Sequence, residues 1–218
     1  MRQTIVNGVE VIKVEGSNSD IYANLFKHTP ENNREERFLN NLKNATEANV
    51  TSFYVPVYGP SLDTNGQLLF IPGRYPAVNR NSDENKKLGE KRGFYLGTIE
   101  QWDLFLGTMI DRLMKIEGWS IEQAFHAICD DSTELGNYDN SPNARCRIEN
   151  TGLRMVAGVA DLANTKKMVF GSSSNAKDDS IYLVGGSYSD RGYFYPLASR
   201  GCEIDWKYDY VTGFFVTE

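Results

Sequence analysis

Histidine is almost missing from this chain: His28 and His126 are the only two among 218 residues. Catalytic zinc and iron centres draw on two or three clustered His or Cys ligands, and two histidines so far apart do not supply them. Cysteine is also scarce. Cys129, Cys146 and Cys202 are odd in number and form no CxxC pair, so they read as free, partly buried thiols rather than a disulfide frame. Positive charge is in deficit: 23 Lys and Arg against 29 Asp and Glu leave a net charge of −6. That balance argues against a nucleic-acid partner and against docking on anionic lipid. No apolar run approaches the ~18 residues of a spanning helix, so no membrane insertion is expected. The opening Met1-Arg2-Gln3-Thr4-Ile5-Val6-Asn7-Gly8 lacks the apolar stretch of a signal peptide. The expectation is a chain that stays in the cell that made it, or leaves by lysis as a virus particle does. Two sequons, Asn44-Ala45-Thr46 and Asn49-Val50-Thr51, are incidental in that setting.

Familiar catalytic signatures are missing too. There is no GxSxG and no phosphate-binding glycine loop, and Gly185-Gly186 follows an apolar run without opening a helix. A serine triad would have to recruit His28 or His126. His126, between Phe125 and Ala127 in a helical pattern, reads as a partly buried structural residue.

What the chain does have is aromatic residues: 12 Tyr and 11 Phe. They crowd toward the end, in the stretch 181–216 around which the rest reads as organised. Ile181-Tyr182-Leu183-Val184 is an apolar run that stops at Gly185-Gly186-Ser187-Tyr188-Ser189-Asp190. Tyr193, Phe194, Tyr195, Trp206, Tyr208 and Tyr210 come next, before a closing Thr212-Gly213-Phe214-Phe215-Val216. Strand, double glycine, aromatic loop and closing strand is a plan for presenting side chains as well as burying them.

Upstream, Asn7-Gly8 between alternating valines predicts a hairpin, and Ser19-Asp20 predicts a capped short helix. Residues 30–37 form a polar charge cluster, read as a solvated linker or exposed helix, or as a tether. Composition changes at Val50. Residues 1–48 are therefore expected to be a separable attachment segment and linker, and 49–218 the main domain. In the latter, 51–58 and 67–71 are strand-like with a turn at Asp63-Thr64-Asn65-Gly66, and 79–91 reads as a polar loop. Thr98-Ile99-Glu100-Gln101 and Ser120-Ile121-Glu122-Gln123 are capping boxes that open helices. The first carries Ile99, Trp102, Leu106, Met109, Ile110 and Leu113 at helical spacing, the second Ile121, Ala124, Phe125 and Ile128. A long Asp/Asn/Ser/Gly-rich loop covers 130–150, and 152–163 returns to strand-like or mixed character. Asp130-Asp131, the stretch 139–143 and Asp178-Asp179 have the ligand types for structural calcium but no fixed loop spacing. No cofactor is otherwise expected.

Gly185-Gly186-Ser187-Tyr188 before the aromatic loop, with Thr212-Gly213-Phe214-Phe215 after it, resembles the end of the C-type-lectin-like fold. It looks most like the branch of formylglycine-generating-enzyme-like domains and phage receptor-binding proteins diversified by retroelements. Tyr95-Leu96-Gly97-Thr98-Ile99-Glu100-Gln101-Trp102 resembles that branch's helix start, with Gly97 where proline is usual. Gly158-Val159-Ala160-Asp161-Leu162-Ala163-Asn164 is similar to its Gly-Leu-Tyr-Asp-Met-Gly-Asn turn. The resemblance spans about 50–218. The oxidase cysteines would fall at Asp190 and Tyr195, so the catalytic part does not carry over.

The resemblance implies an α+β fold: a C-type-lectin-like domain with two helices and a small, mixed, antiparallel-rich sheet, preceded by the N-terminal attachment segment. It implies a non-enzymatic module displaying Tyr188, Asp190, Tyr193, Tyr195, Trp206, Tyr208 and Tyr210 to a host surface glycan or protein. As an expectation, the chain is a bacteriophage fibre or decoration protein, a homo-oligomer joined to other virion proteins through its N-terminal segment. Two alternatives stay open: a purely structural virion or assembly protein, and a divergent enzyme using Asp130, Asp131 or Asp190.

Overall fold

The computed structural model describes residues 4–136, 155–160, 166–170, 181–187, 190–203 and 211–218. Along the chain run β1 (Thr4–Val6), β2 (Val9–Val14), α1 (Asp20–Leu25), α2 (Asn33–Glu47) and β3 (Phe53–Pro56). Then come β4 (Ser61–Leu62), β5 (Leu68–Leu69), α3 (Ser82–Glu90), β6 (Tyr95–Leu96), α4 (Ile99–Ile116), α5 (Ile121–Cys129) and a 3₁₀ turn at Ser132–Leu135. The last strands are β7 (Met155–Val156), β8 (Val159–Ala160), β9 (Lys166–Phe170), β10 (Ile181–Val184), β11 (Arg200–Glu203), β12 (Val211–Gly213) and β13 (Phe215–Val216). The class is α+β, as expected. The larger sheets are β1-β2-β3 and β11-β10-β9-β12, the latter antiparallel except for the β12–β9 pair. Among the described residues no helix is long and apolar enough to cross a membrane.

Local hydrogen bonding sets the element ends. Asn7 and Gly8 take φ of 52° and 73°, the left-handed pair that a tight hairpin turn requires, and Val6 pairs with Val9 across it. The boxes at Thr98/Gln101 and Ser120/Gln123 both close, each side chain satisfying the other residue's backbone N–H. A third box, Asn81/Glu84, opens α3, where the sequence reading expected a loop. That helix is short and polar, so apolar periodicity could not reveal it.

The hub of the fold is α4, not the 181–216 stretch. Its expected apolar stripe is buried throughout, but Asp103, Leu104, Phe105, Gly107 and Thr108 on the other faces are buried too. From Ile99 to Ile110 the helix is covered on every face, as a core helix is, and its last turn reaches solvent at Lys115 and Ile116. Helices α1, α2 and α5 and strands β2 and β9 all pack against it. Phe214 joins this core, edge-on to Trp102 with ring centroids 5.0 Å apart. The adjacent Phe215 turns the other way, into a second core with Val9, Val11, Phe70 and Phe94.

The expectation of a separable N-terminal segment is therefore corrected. β2 is the middle strand of its sheet, pairing Val11 with Pro56 and Val14 with Phe53. Ile12, Val14, Tyr22, Leu25, Phe38 and Leu42 share one core with α4. Residues 4–48 belong to the same packed body as β3, α4 and α5. The composition change at Val50 is a change of surface charge, not a core boundary. Of the two readings of the charge cluster 30–37, solvated linker or exposed helix, the structure has the helix: Asn32 caps α2 through the backbone N–H groups of Arg34 and Glu35, and the cluster is exposed except for Glu35, which is buried, and the half-buried Pro30.

Candidate functional site

The aromatic loop is held by backbone and side-chain ties at both ends. β10 stops at Gly185, whose φ of 72° turns the chain out of the sheet. Asp190 Oδ2 then accepts from Ser187 N (2.8 Å) and Ser187 Oγ (2.7 Å), closing the turn. Asp190 is thus placed as a staple inside the loop. Further on, Leu197 N donates to Ser132 Oγ (2.9 Å), and Ala198 N to Ile128 O (3.0 Å). These bonds pin the loop to the end of α5 and the 3₁₀ turn.

Between the ties, three consecutive aromatics face solvent: Tyr193 at 36%, Phe194 at 62% and Tyr195 at 48% exposed. Arg191 Nη1 donates to Tyr193 Oη (2.7 Å), and the Tyr193 and Phe194 rings lie 4.6 Å apart.

Helix α2 lies alongside. Arg34 Nη1 donates to the carbonyls of Tyr193 (2.8 Å) and Asp130 (3.2 Å). Arg34, Arg37 and Asn41 stand at i, i+3 and i+7, one face of the helix. With Phe194, Tyr195 and Arg200 they bound a cleft of about 260 Å³, floored by Phe38, Cys129 and Pro196. Burial pushes the Cys129 thiol well up, with Asp130 and Glu35 adding to it, so the floor carries a neutral thiol and no nucleophile. A second cavity, beneath Tyr58, Phe70, Trp102 and Phe214, measures only about 50 Å³ and is apolar. That is room for a few waters at most. Wider concavities of about 570, 490 and 460 Å³ lie beside Glu15–Asp20, beside Asn32–Arg34 and beside Glu100 and Asp103, but none of these three has an aromatic wall; the cleft beside the aromatic loop joins exposed rings to guanidiniums and is the candidate site.

Arg200 connects the cleft to the hub helix by donating to Asp103 Oδ1. Asp103 is 3% exposed. Burial drives its pKa up from 3.8 to about 6, against the pull of Arg200 and with a further push from Glu100. A carboxyl raised in the folded state contributes stability below its unfolded pKa and loses it as pH rises through the folded one. From pH 4 to pH 7, wild type should therefore lose up to roughly 3 kcal/mol relative to Asp103→Asn, at about 1.36 kcal/mol per pH unit. Denaturant melts of both proteins across that range check this; a constant difference would show that Asp103 does not titrate there.

Of the expected site residues, Tyr195 lines the cleft and Tyr193 stands outside its lining, against the Phe194 ring, with Asp190 bracing the loop. Tyr188, Trp206, Tyr208 and Tyr210 lie outside the described residues. The sequence reading missed Phe194 as a site residue, and it missed Arg34, Arg37, Asn41 and Arg200. The Arg-x-x-Arg-x-x-x-Asn spacing was the available signal, but reading 30–37 as a solvated linker, exposed helix or tether left it without a facing wall.

The other candidates have structural roles. Asp131 Oδ1 caps the 3₁₀ turn through Thr133 N (3.0 Å), and Asp130 Oδ2 accepts from Asn32 Nδ2 (2.7 Å). Among the described residues no three His, Cys, Asp or Glu gather to hold a metal; 139–143 and 178–179 lie outside them. The expectation of a partly buried His126 is corrected, and the buried histidine is His28. His126 is 63% exposed on α5, while His28 is buried, with Nε2 2.9 Å from Glu35 Oε2 and its ring stacked on Phe125. Cys129 is buried and free; Cys146 and the Cys202 side chain lie outside the described set.

No family model and no curated protein matches the chain. Among solved structures, the crystal structure of CarF aligns at 16% identity over 82% of this chain, with a TM-score of 0.34. The chain spans 64% of the CarF chain, under two thirds of its length. A likeness at that level carries no argument about fold or function.

Proposed function

We propose that this chain is a non-enzymatic binding module, C-type-lectin-like in design, that presents the 193–195 surface and the adjoining cleft to a glycan or protein on a host surface. In this reading it is a bacteriophage fibre or decoration protein. The observation that carries it is the pairing of exposure with rigidity: three adjacent aromatics face solvent on a loop tied down at Ser187, Ser132 and Ile128. Preordered Tyr and Phe side chains give large contact area at low entropic cost. Several copies would convert weak single sites into avidity. The second reading, a purely structural virion protein, is favoured by β1. Among the described residues this strand pairs on one side only, with β2, and its Ile5 is 61% exposed. Contact with neighbouring virion proteins is assigned to that edge.

Tyr193→Ala and Tyr195→Ala should leave the melting temperature unchanged. Each should weaken binding to the host surface by about 1–3 kcal/mol, the usual cost of removing an interface anchor. Melting and binding are measured on the same preparations. Variants that unfold while binding per folded molecule holds constant would make these side chains part of the core and end the recognition reading.

A further inference from the structure

We infer that the cleft between α2 and the 191–200 loop selects for negative charge: its ligand is a sugar ring bearing an oxyanion, either a carboxylate or a phosphate ester. This rests on the recognition reading above and specifies what the surface recognises.

The chain as a whole is acidic, with a net charge of −6, yet three guanidiniums line this one concavity. Their partners matter more than their number. Arg37 is exposed on α2 and makes no hydrogen bond or ion pair among the described residues. Arg34 is held by two backbone carbonyls, which orient the guanidinium without cancelling its charge. Arg200 alone of the three has a carboxylate partner among the described residues, Asp103, which does not line the cleft. A guanidinium fixed by carbonyls beside a free one is suited to charge-assisted, two-pronged bonds to an oxyanion.

The remaining wall narrows the class. Phe194 and Tyr195 offer exposed ring faces beside the guanidiniums, and Asn41 adds an amide able both to donate and to accept. The ligand therefore has an apolar face, a charged end and a hydroxyl-like edge. At about 260 Å³ the cleft falls just below the roughly 300–1,000 Å³ of drug-sized ligand sites. It takes one ring or a chain terminus, not an extended polymer. Bare inorganic anions would leave the aromatic wall uncovered.

The test is a titration of the full chain at fixed salt with methyl glucuronide, glucose 6-phosphate and methyl glucoside, followed by calorimetry or ligand-observed NMR. The expected result is that at least one of the two charged sugars binds about tenfold or more tightly than the neutral glucoside. Which of them binds identifies the oxyanion. Arg37→Ala should erase the preference with no change in melting temperature, since the residue is exposed and has no partner among the described residues. Lys13→Ala, on β2, is the charge control and should change nothing. Equal binding of glucoside and charged sugars, or loss of neither charged sugar on Arg37→Ala, overturns the inference. No binding of any of the three sugars overturns it as well. The outcomes separate from those of the broader reading. If Tyr195→Ala weakens host-surface binding while Arg37→Ala does not, the recognition surface stands and its anion preference falls. If Arg37→Ala weakens it while Tyr193→Ala and Tyr195→Ala do not, the cleft stands and the aromatic display falls.

Discussion

Removing residues 1–16 is expected to leave no stably folded fragment. The deletion takes away β1 and β2, and with them Val9, Val11, Ile12 and Val14, all buried. Burying each such side chain contributes about 1.5–3 kcal/mol. The four together represent about 6–12 kcal/mol, comparable to the whole stability of a typical domain at 5–15 kcal/mol. The deletion also strips β3 of its β2 partner, leaving the Tyr54–Thr217 bridge on its other edge. Two cores are opened at once, because Val9 and Val11 face the Phe215 cluster while Ile12 and Val14 face the α4 cluster. Circular dichroism of the 17–218 fragment is the measurement. A cooperative melt near the full-length midpoint would show that the N-terminal hairpin is dispensable after all. In the intact protein, limited proteolysis should release no stable piece by cutting near 48.

The second large effect is expected at Glu35. Its Oε2 lies 2.9 Å from His28 Nε2 and accepts from Glu31 N at 2.9 Å. Both side chains of the pair are almost fully enclosed, at 4% and 1% exposure. His28 is stacked on Phe125, whose other neighbour Phe38 belongs to the same core. Glu35→Ala leaves the buried His28 imidazole and the Glu31 N–H without their acceptor. Removing one member of a buried pair costs about 3–5 kcal/mol. For a chain of this size that is a fall of roughly 6–20 °C in Tm, at about 2–4 °C per kcal/mol. Glu35→Gln keeps an acceptor of similar shape and should cost less. The neighbouring Glu36 is exposed, and Glu36→Ala should stay within about 0.5 kcal/mol of wild type. Equal melting points for the two alanine variants would mean that the buried pair contributes nothing.

The same neighbouring residues show what kind of information the sequence holds. Glu35 and Glu36 are chemically identical in a polar stretch, and no local pattern separates them. The difference arises when α2 docks on α4 and α5, turning one side of the helix toward His28 and Phe125 and the other toward water. The exposure of His126 and the burial of His28 escaped the sequence for the same reason. Burial is a property of the whole packing, and both histidines sit in polar or mixed local sequence.

By itself, the sequence determined the features governed by bonds between near neighbours. The Asn7-Gly8 turn, the Ser19 cap, the Thr98/Gln101 and Ser120/Gln123 boxes, the strand at 181–184 and its glycine stop all rest on side chains and backbone within a few residues of each other. The apolar stripe of α4 came from periodicity, and the α+β class from the resemblance carried by 185–188 and 212–215. Tertiary structure alone decided that α4 is covered on every face from Ile99 to Ile110, that β2 is the centre of a sheet, and that Phe214 and Phe215 serve different cores. It also made the cleft, whose two walls come from α2 and from a loop that Arg34 reaches across 159 residues of chain to Tyr193. A site assembled from segments that far apart has no local spacing to read, because the distance between its guanidiniums and its aromatics is set by how helix and sheet pack, not by the order of residues between them.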